Sequence, residues 1–397
     1  MALVDHQSVH QHALETLAEA DALLACTPHL ELDGVHTIDK VDPEWLSKTL
    51  GLEIPGAVVE ELSIVGAHEG MTSRHKWKLV WNREGQEADL PATIFIKATP
   101  DDPHLRQMLS VIHMGELEAH VYNDLQQEFG DFIPKAYYSR SYPGGRFIII
   151  MEDLEERGIK PYWFGDSCPL QHARAVAVTQ AKMHAKFWDS ERFESDLIWV
   201  RPRTRRFGEL WMRKYFSANR QRFLEMDAAK NLPVYVQNLV KDWDENCLAV
   251  HDYWETRPQT FLHGDPHLGN SLGFADGRAG FYDWQCLFRG YGYRDLAYFL
   301  MSALTSEDYE AHEKEIFDLY TDTLEQNGVK VNREEAWLDY CLFVLDSLDA
   351  SISTLTNTAG YGHAQHGLER HLNTLSATLQ RHDVAALLRR VVETGSV

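Results

Sequence analysis

Apolar and polar positions follow two rhythms along this chain. Near the start the rhythm is helical. Residues 8–25 carry Leu14, Leu17, Leu23 and Leu24 at helical spacing, which predicts an amphipathic leader helix. Asp42-Pro43 predicts a second short helix, with Asp as N-cap and Pro in the first turn. A strand rhythm follows in AVVEELSIVG, HKWKLVWN and PATIFIKAT. Between the first two, Gly66 to Ser73 read as a glycine-flanked hairpin loop. Residues 104–127 return to helical spacing, with Leu105, Met108, Leu109, Ile112 and Leu117 on one stripe, and RFIIIMEDL reads as a buried strand.

From about residue 170 the pattern is mostly helical, in QHARAVAVTQAKMHAKFW, in 209–229, in 233–254 and in several segments after 295. The exceptions are FLHGD and AGFYDW, two short strand-like pieces. A sheet-rich part followed by a larger helical part predicts an α+β, two-lobed plan that breaks near MEDLEERG. The expected domains are a helical extension over 1–40, an N-lobe over 41–152 and a helical C-lobe over 153–397.

Composition narrows the function. The chain has 397 residues, 44% of them hydrophobic, and a formal net charge of -22. That balance argues against nucleic acid or an anionic membrane as partner, because both call for a basic face. Five scattered cysteines (Cys26, Cys168, Cys247, Cys286 and Cys341) form neither a disulfide framework nor a zinc spacing, so a cytoplasmic setting is expected. The first residues lack the pattern of a signal peptide, and no apolar run is long enough to span a membrane.

The chemistry concentrates in FLHGDPHLGN, residues 261–270. Asp265 and Asn270 stand five apart, and Asp283 follows in GFYDW. Phosphoryl transfer of the protein-kinase type uses this set: a loop Asp for the attacking hydroxyl, then an Asn and a second Asp as oxygen ligands of magnesium. Two other readings compete. Gly, Pro and Asn are ordinary turn residues, but a plain turn leaves Asp283 unexplained. His263, Asp265 and His267 at i, i+2, i+4 could hold zinc on a strand, but Pro266 and two glycines work against a regular strand. His263 reads more simply as a buried histidine bonding the loop backbone.

Lys97 ends TIFIK. A lone strand-end lysine commonly snorkels, whereas a kinase uses one there to reach phosphates, steadied by a helix glutamate. Glu116 and Glu118 both lie on the next helix, and Glu118 is preferred. Gly66, Gly70, Thr72 and Ser73 are candidates for a flap whose N–H groups touch phosphate. There is no GxxxxGK[ST], which excludes a P-loop.

Taken in order, the glycine loop, IFIK, GELEAHVY, IIIMEDL, AKMHAKFW, HGDPHLGN, GFYDWQ and YRDLAYFL resemble the aminoglycoside/choline-kinase-like phosphotransferase superfamily over residues 41–305. YDWQ, MHAKFW and GYRDLAYFL resemble its ecdysteroid-kinase-like branch most closely. The resemblance implies a protein-kinase-like fold and an ATP- and Mg²⁺-dependent transfer to a small-molecule hydroxyl. It implies Asp265 as catalytic base, Asn270 and Asp283 as magnesium ligands, Lys97 paired with Glu118, and the backbone of Glu152 to Leu154 as an adenine-reading hinge. Asp295 would brace the catalytic loop. Competing classes are a nucleotide-binding pseudokinase and a metal-dependent hydrolase.

The acceptor has no readable code. Residues 188–254 hold five tryptophans (Trp188, Trp199, Trp211, Trp243 and Trp254) and balance eleven acidic with eleven basic residues. That window suggests an apolar, hydroxyl-bearing acceptor, with an aminoglycoside or choline type as the alternative.

Overall fold

A computed structural model describes residues 35–163, 165–205, 211–356 and 365–397, together with residues 11, 15, 18, 19 and 22. The four leucines of the expected leader helix lie outside the described residues. The chain separates into two compact units. One is a sheet unit ending at Ile159 that also takes in Asp283–Cys286; the other is a helical unit of Lys160–Tyr282 and Leu287–Val397.

In the sheet unit, α1 (Pro43–Leu50) begins where expected, and the Asp42 carboxylate accepts from the Trp45 N–H at 2.7 Å. Five antiparallel strands follow: β1 (Val59–Glu69), β2 (Ser73–Trp81), β3 (Thr93–Ala98), β4 (Ala136–Tyr142) and β5 (Arg146–Glu152), in spatial order β1-β2-β3-β5-β4. β1 runs on through Gly66 to Glu69, which is longer than its apolar stretch indicated. The connecting turn therefore shrinks to Gly70–Thr72, and Gly66 sits in the ladder opposite Lys76. β4, AYYSRSY, has no clean alternation and escaped the sequence pattern; it is an edge strand that pairs only with β5.

Period-two alternation divides the sheet's faces. Ile94, Ile96, Ala98, Ile148 and Ile150 join Trp77, Leu79 and Trp81 in one apolar cluster. Lys97 points the other way, across from Ile149. Two helices follow β3, α2 (Pro103–Val111) and α3 (Met114–His120), where one was expected. His113 in a left-handed conformation breaks them, and a π-helical turn over Val121–Leu125 follows α3. Gly115 lets α3 lie close to β5. A Cβ there would stand 2.2 Å from Phe147 Cδ1, far inside van der Waals contact.

In the helical unit, α4 (Leu170–Lys186) and α5 (Val234–Glu255) precede a small set of strands: β6 (Thr260–Leu262), β7 (Ser271–Gly273), β8 (Ala279–Phe281) and β9 (Phe288–Gly290). β6 pairs with β9, and β7 pairs with β8. Then come α6 (Tyr293–Ala303), α7 (Ser306–Gln326), α8 (Arg333–Leu342), α9 (Val344–Thr356), α10 (Gln365–Arg381) and α11 (Val384–Thr394). α6 is the hub, with nine of its eleven residues buried. Trp243 is fully buried and Trp254 stacks on Phe343 with centroids 4.5 Å apart, so both serve packing rather than an open aromatic wall. Among the described residues, no helix is long and apolar enough to cross a membrane.

Candidate functional site

Two clusters of chemistry-bearing side chains stand out, one in each unit.

The first is built on β3, α3 and the segment Asp283–Cys286. Strand alternation turns Lys97 toward the face that α3 covers, and its ammonium donates to Glu118 Oε2 at 2.5 Å and to Asp283 Oδ1 at 2.7 Å. Glu116 is exposed instead and bonds His113. Lys97 is 3% exposed and Glu118 1%. Phe129 stacks on Trp284 (centroids 5.2 Å), which holds the Asp283 segment in place. Asp283 has φ +64°, a left-handed conformation that is uncommon outside glycine but tolerated by Asp.

Burial opposes the charge on Lys97, but the carboxylates of Asp283 and Glu118 outweigh it and raise the ammonium pKa. Burial pushes Glu118 up to about 7 against the pull of Lys97, and the charge of Asp283 adds to the rise. One cation thus serves two carboxylates.

Around the β1–β2 turn, the Gly70 N–H bonds the Thr72 carbonyl at 3.3 Å, and the Ser73 hydroxyl donates to Glu69 at 2.6 Å. Thr72 and Ser73 are buried. At the end of β5, the Glu152 N–H bonds the Lys135 carbonyl, and the Leu154 carbonyl accepts from Ile159. Asp153, between them, pairs with Lys76 at 2.7 Å.

The second cluster is the loop between β6 and β7. Asp295, at the start of α6, reaches back to it: Asp295 Oδ2 accepts the His263 N–H at 2.7 Å. Arg294 Nη1 donates to the Gly264 carbonyl at 2.7 Å and to Asp295 at 2.9 Å. Asp295 therefore braces the loop and does not cap its own helix. Burial would raise its pKa. The His184 imidazole (Nε2 3.8 Å away, beyond direct hydrogen-bonding range), Arg294 and His263 pull it down to about 2.

Asp265 Oδ1 accepts from the Tyr298 hydroxyl at 2.7 Å, and its Oδ2 lies 3.7 Å from His267 Nε2. Asn270 Nδ2 donates to the Asp265 carbonyl at 2.8 Å, which leaves its Oδ1 as the atom suited to a cation. His263 is buried and spends both ring nitrogens on backbone: Nε2 donates to the Tyr282 carbonyl at 2.9 Å, and Nδ1 accepts the Asp265 N–H at 3.3 Å. An imidazole so committed has no lone pair left for zinc, which removes the basis of the hydrolase reading.

The sequence reading did not pick out Arg294, Tyr298 or Asp346. Tyr298 lies three residues after Asp295 on α6, a spacing that puts both on one helix face. Asp346 takes Arg294 Nε at 2.5 Å and also pairs with Arg203. An acid inside the apolar stretch VLDSLDASIS was the available signal.

A family model described as the ecdysteroid kinase-like family matches residues 71–333, roughly two thirds of the chain. No curated protein matches it. Solved structures with a similar course include the choline kinase LicA from Streptococcus pneumoniae, at 14% identity and TM-score 0.48, covering 84% of this chain and 97% of that one. An ethanolamine kinase from Plasmodium vivax matches at 12% identity and TM-score 0.48, over 92% of this chain and 96% of that one. The GDP complex of aminoglycoside 2'-phosphotransferase-IIIa matches at 12% identity and TM-score 0.45, over 86% and 99%.

Proposed function

The chain belongs to the ecdysteroid kinase-like family, and from that premise we propose that it transfers the γ-phosphate of ATP to a hydroxyl of a small molecule. What carries this reading is Lys97, held charged in a buried site by Glu118 and Asp283. A structural lysine gains nothing from such burial, since desolvating an ion pair costs about as much as the attraction returns. A lysine that grips phosphates needs to be fixed and charged before the nucleotide arrives.

In this reading residues 41–152 bind the nucleotide, with the Gly70–Ser73 turn beside the phosphates and Glu152 to Leu154 beside the base. The Glu152 N–H is already spent within the sheet, so the hinge contacts fall to its neighbours. Residues 153–397 carry the acceptor. Asp265 acts as general base, and the Tyr298 bond on Oδ1 leaves Oδ2 for the acceptor's proton. Asn270 and Asp283 offer oxygen donors, a set that suits Mg²⁺ better than zinc. Magnesium, when bound, neutralises phosphate charge.

The test is ADP release from ATP and Mg²⁺ with a panel of hydroxylated compounds. Turnover that depends on one of them supports the proposal. Nucleotide binding with no turnover on any compound favours a pseudokinase, and absence of both rejects the nucleotide reading.

A further inference from the structure

In the sheet unit, strand register puts three side chains that can carry positive charge in one row across β1, β2 and β3. His68 stands opposite Arg74, and Arg74 stands opposite Lys97. Directly opposed residues share a face, so all three lie on the side where Lys97 meets Glu118 and Asp283. The alternate residues of this hairpin end, Glu69, Ser73 and His75, lie on the other face, where Glu69 bonds both Ser73 and His75. The acid of the turn is therefore directed away from the row.

Arg74 differs from its basic neighbours in what it lacks. Lys76, two places along β2, holds Asp153 and Glu155, and Lys97 holds Glu118 and Asp283. Among the described residues no carboxylate pairs with Arg74, and its Nε is buried without a hydrogen-bond partner. Like charges directly opposed on neighbouring strands are destabilising, with Cβ atoms only about 5 Å apart. Burial and the Arg74 charge both lower the His68 pKa, which makes that imidazole the neutral end of the row. The guanidinium folds back over the turn: a Cβ on Gly70 would stand 2.9 Å from Arg74 Nη2 and 3.7 Å from His68 Nε2. Glycine at position 70 leaves room for it. Two of the turn's own donors are already committed, the Gly70 N–H to the Thr72 carbonyl and the Ser73 hydroxyl to Glu69.

We propose that Arg74 is a second cation of the phosphate site, and that it grips the outer phosphates of the nucleotide from the β1–β2 turn. The proposal rests on the kinase reading above and deepens it. Ile94 pairs with Glu152, where the hinge begins, and Lys97 lies three residues further along β3, about 10 Å away. Arg74 is level with Lys97 and reaches on to Gly70, past the span that a base and sugar would occupy. An anion held between Arg74 and Lys97 relieves their repulsion and gives the orphaned Nε an acceptor. A guanidinium suits the task because its fork of donors matches phosphate oxygens. Two carboxylates already balance Lys97, so Arg74 brings the uncompensated charge that draws a polyanion to a chain of net charge -22.

The experiment is isothermal titration of the full chain with ATP, ADP and AMP in Mg²⁺, and with tripolyphosphate, which has no base. Arg74→Met keeps the stem and removes the charge. It should weaken ATP and tripolyphosphate about tenfold or more and leave AMP within about twofold. Arg74→Lys should restore part of the loss. Gly70→Ala crowds the guanidinium without removing it and should weaken ATP more than AMP. The unfolding midpoint of the nucleotide-free Arg74→Met chain should not fall, because the change removes a like-charge contact; a merely structural arginine would lower it. ATP binding that ignores Arg74→Met, or a loss equal for ATP and AMP, overturns the assignment and leaves the kinase reading standing. Tripolyphosphate binding that needs Arg74, in a chain that binds no ATP, supports the phosphate site, and the failure then falls on the kinase reading alone. Binding of neither overturns both.

Discussion

Lys97 and Asp283 are 186 positions apart in the chain, yet their charged atoms meet at 2.7 Å. That contact and the one to Glu118 tie the proposed phosphate grip to stability. Lys97→Met leaves the buried Glu118 and the partly buried Asp283 facing each other without their cation. Removing one partner of a buried pair costs about 3–5 kcal/mol. Urea unfolding should show a loss of that order, together with weakened ATP binding, and Lys97→Met/Glu118→Gln should recover part of the stability but none of the binding. A lysine that merely snorkels would leave both measurements where they were.

Asp265→Asn should lower turnover by about 10²–10⁴-fold. The fold should hold, because the new amide oxygen still accepts the Tyr298 hydroxyl. Steady-state kinetics with unchanged circular dichroism checks this. Near-normal turnover would remove Asp265 from the chemistry.

Gly115→Ala tests whether close helix–sheet approach positions Glu118. The added Cβ collides with the Phe147 ring, and overpacking of this kind costs about 1–3 kcal/mol. Glu118 lies three residues further along the same short helix and should move with it. Nucleotide affinity should fall along with the unfolding midpoint; a drop in stability alone would uncouple the two.

Asp295 gives the protein an acid limit. Its pKa falls to about 2 in the folded chain, against about 3.9 unfolded. A depressed carboxylate contributes stability above its unfolded value and loses it as pH falls, here between about 4 and 2. The difference is worth about 2.6 kcal/mol. Asp295→Asn should be less stable at pH 7, and the gap should close on acidification through that window. A gap independent of pH would assign the loss to packing.

How far the sequence speaks depends on how local the cause is. The Asp42 cap, the β3 rhythm and the turn-rich loop around Asp265 are written within a few residues, and the structure has these elements at those positions. β4 was illegible because an edge strand takes its order from β5 and needs no alternation of its own. The break at His113 was hidden because a left-handed residue leaves the apolar stripe intact. Which glutamate meets Lys97 depends on which face of α3 turns to the sheet, and Gly115 was the local trace of that. Arg294 and Asp346 are 52 positions apart, a pairing that no short window contains.

Asp295 and Tyr298 follow one another on α6 at an interval of three, so a single helix face carries both the brace of the loop and the partner of Asp265. Three residue rises separate them, about 5 Å along the axis. This spacing makes the length of the helix matter as much as its side chains. An inserted or deleted residue between 295 and 298 turns one of the two side chains about 100° away from the other, so the loop keeps either its brace or the partner of Asp265, but not both.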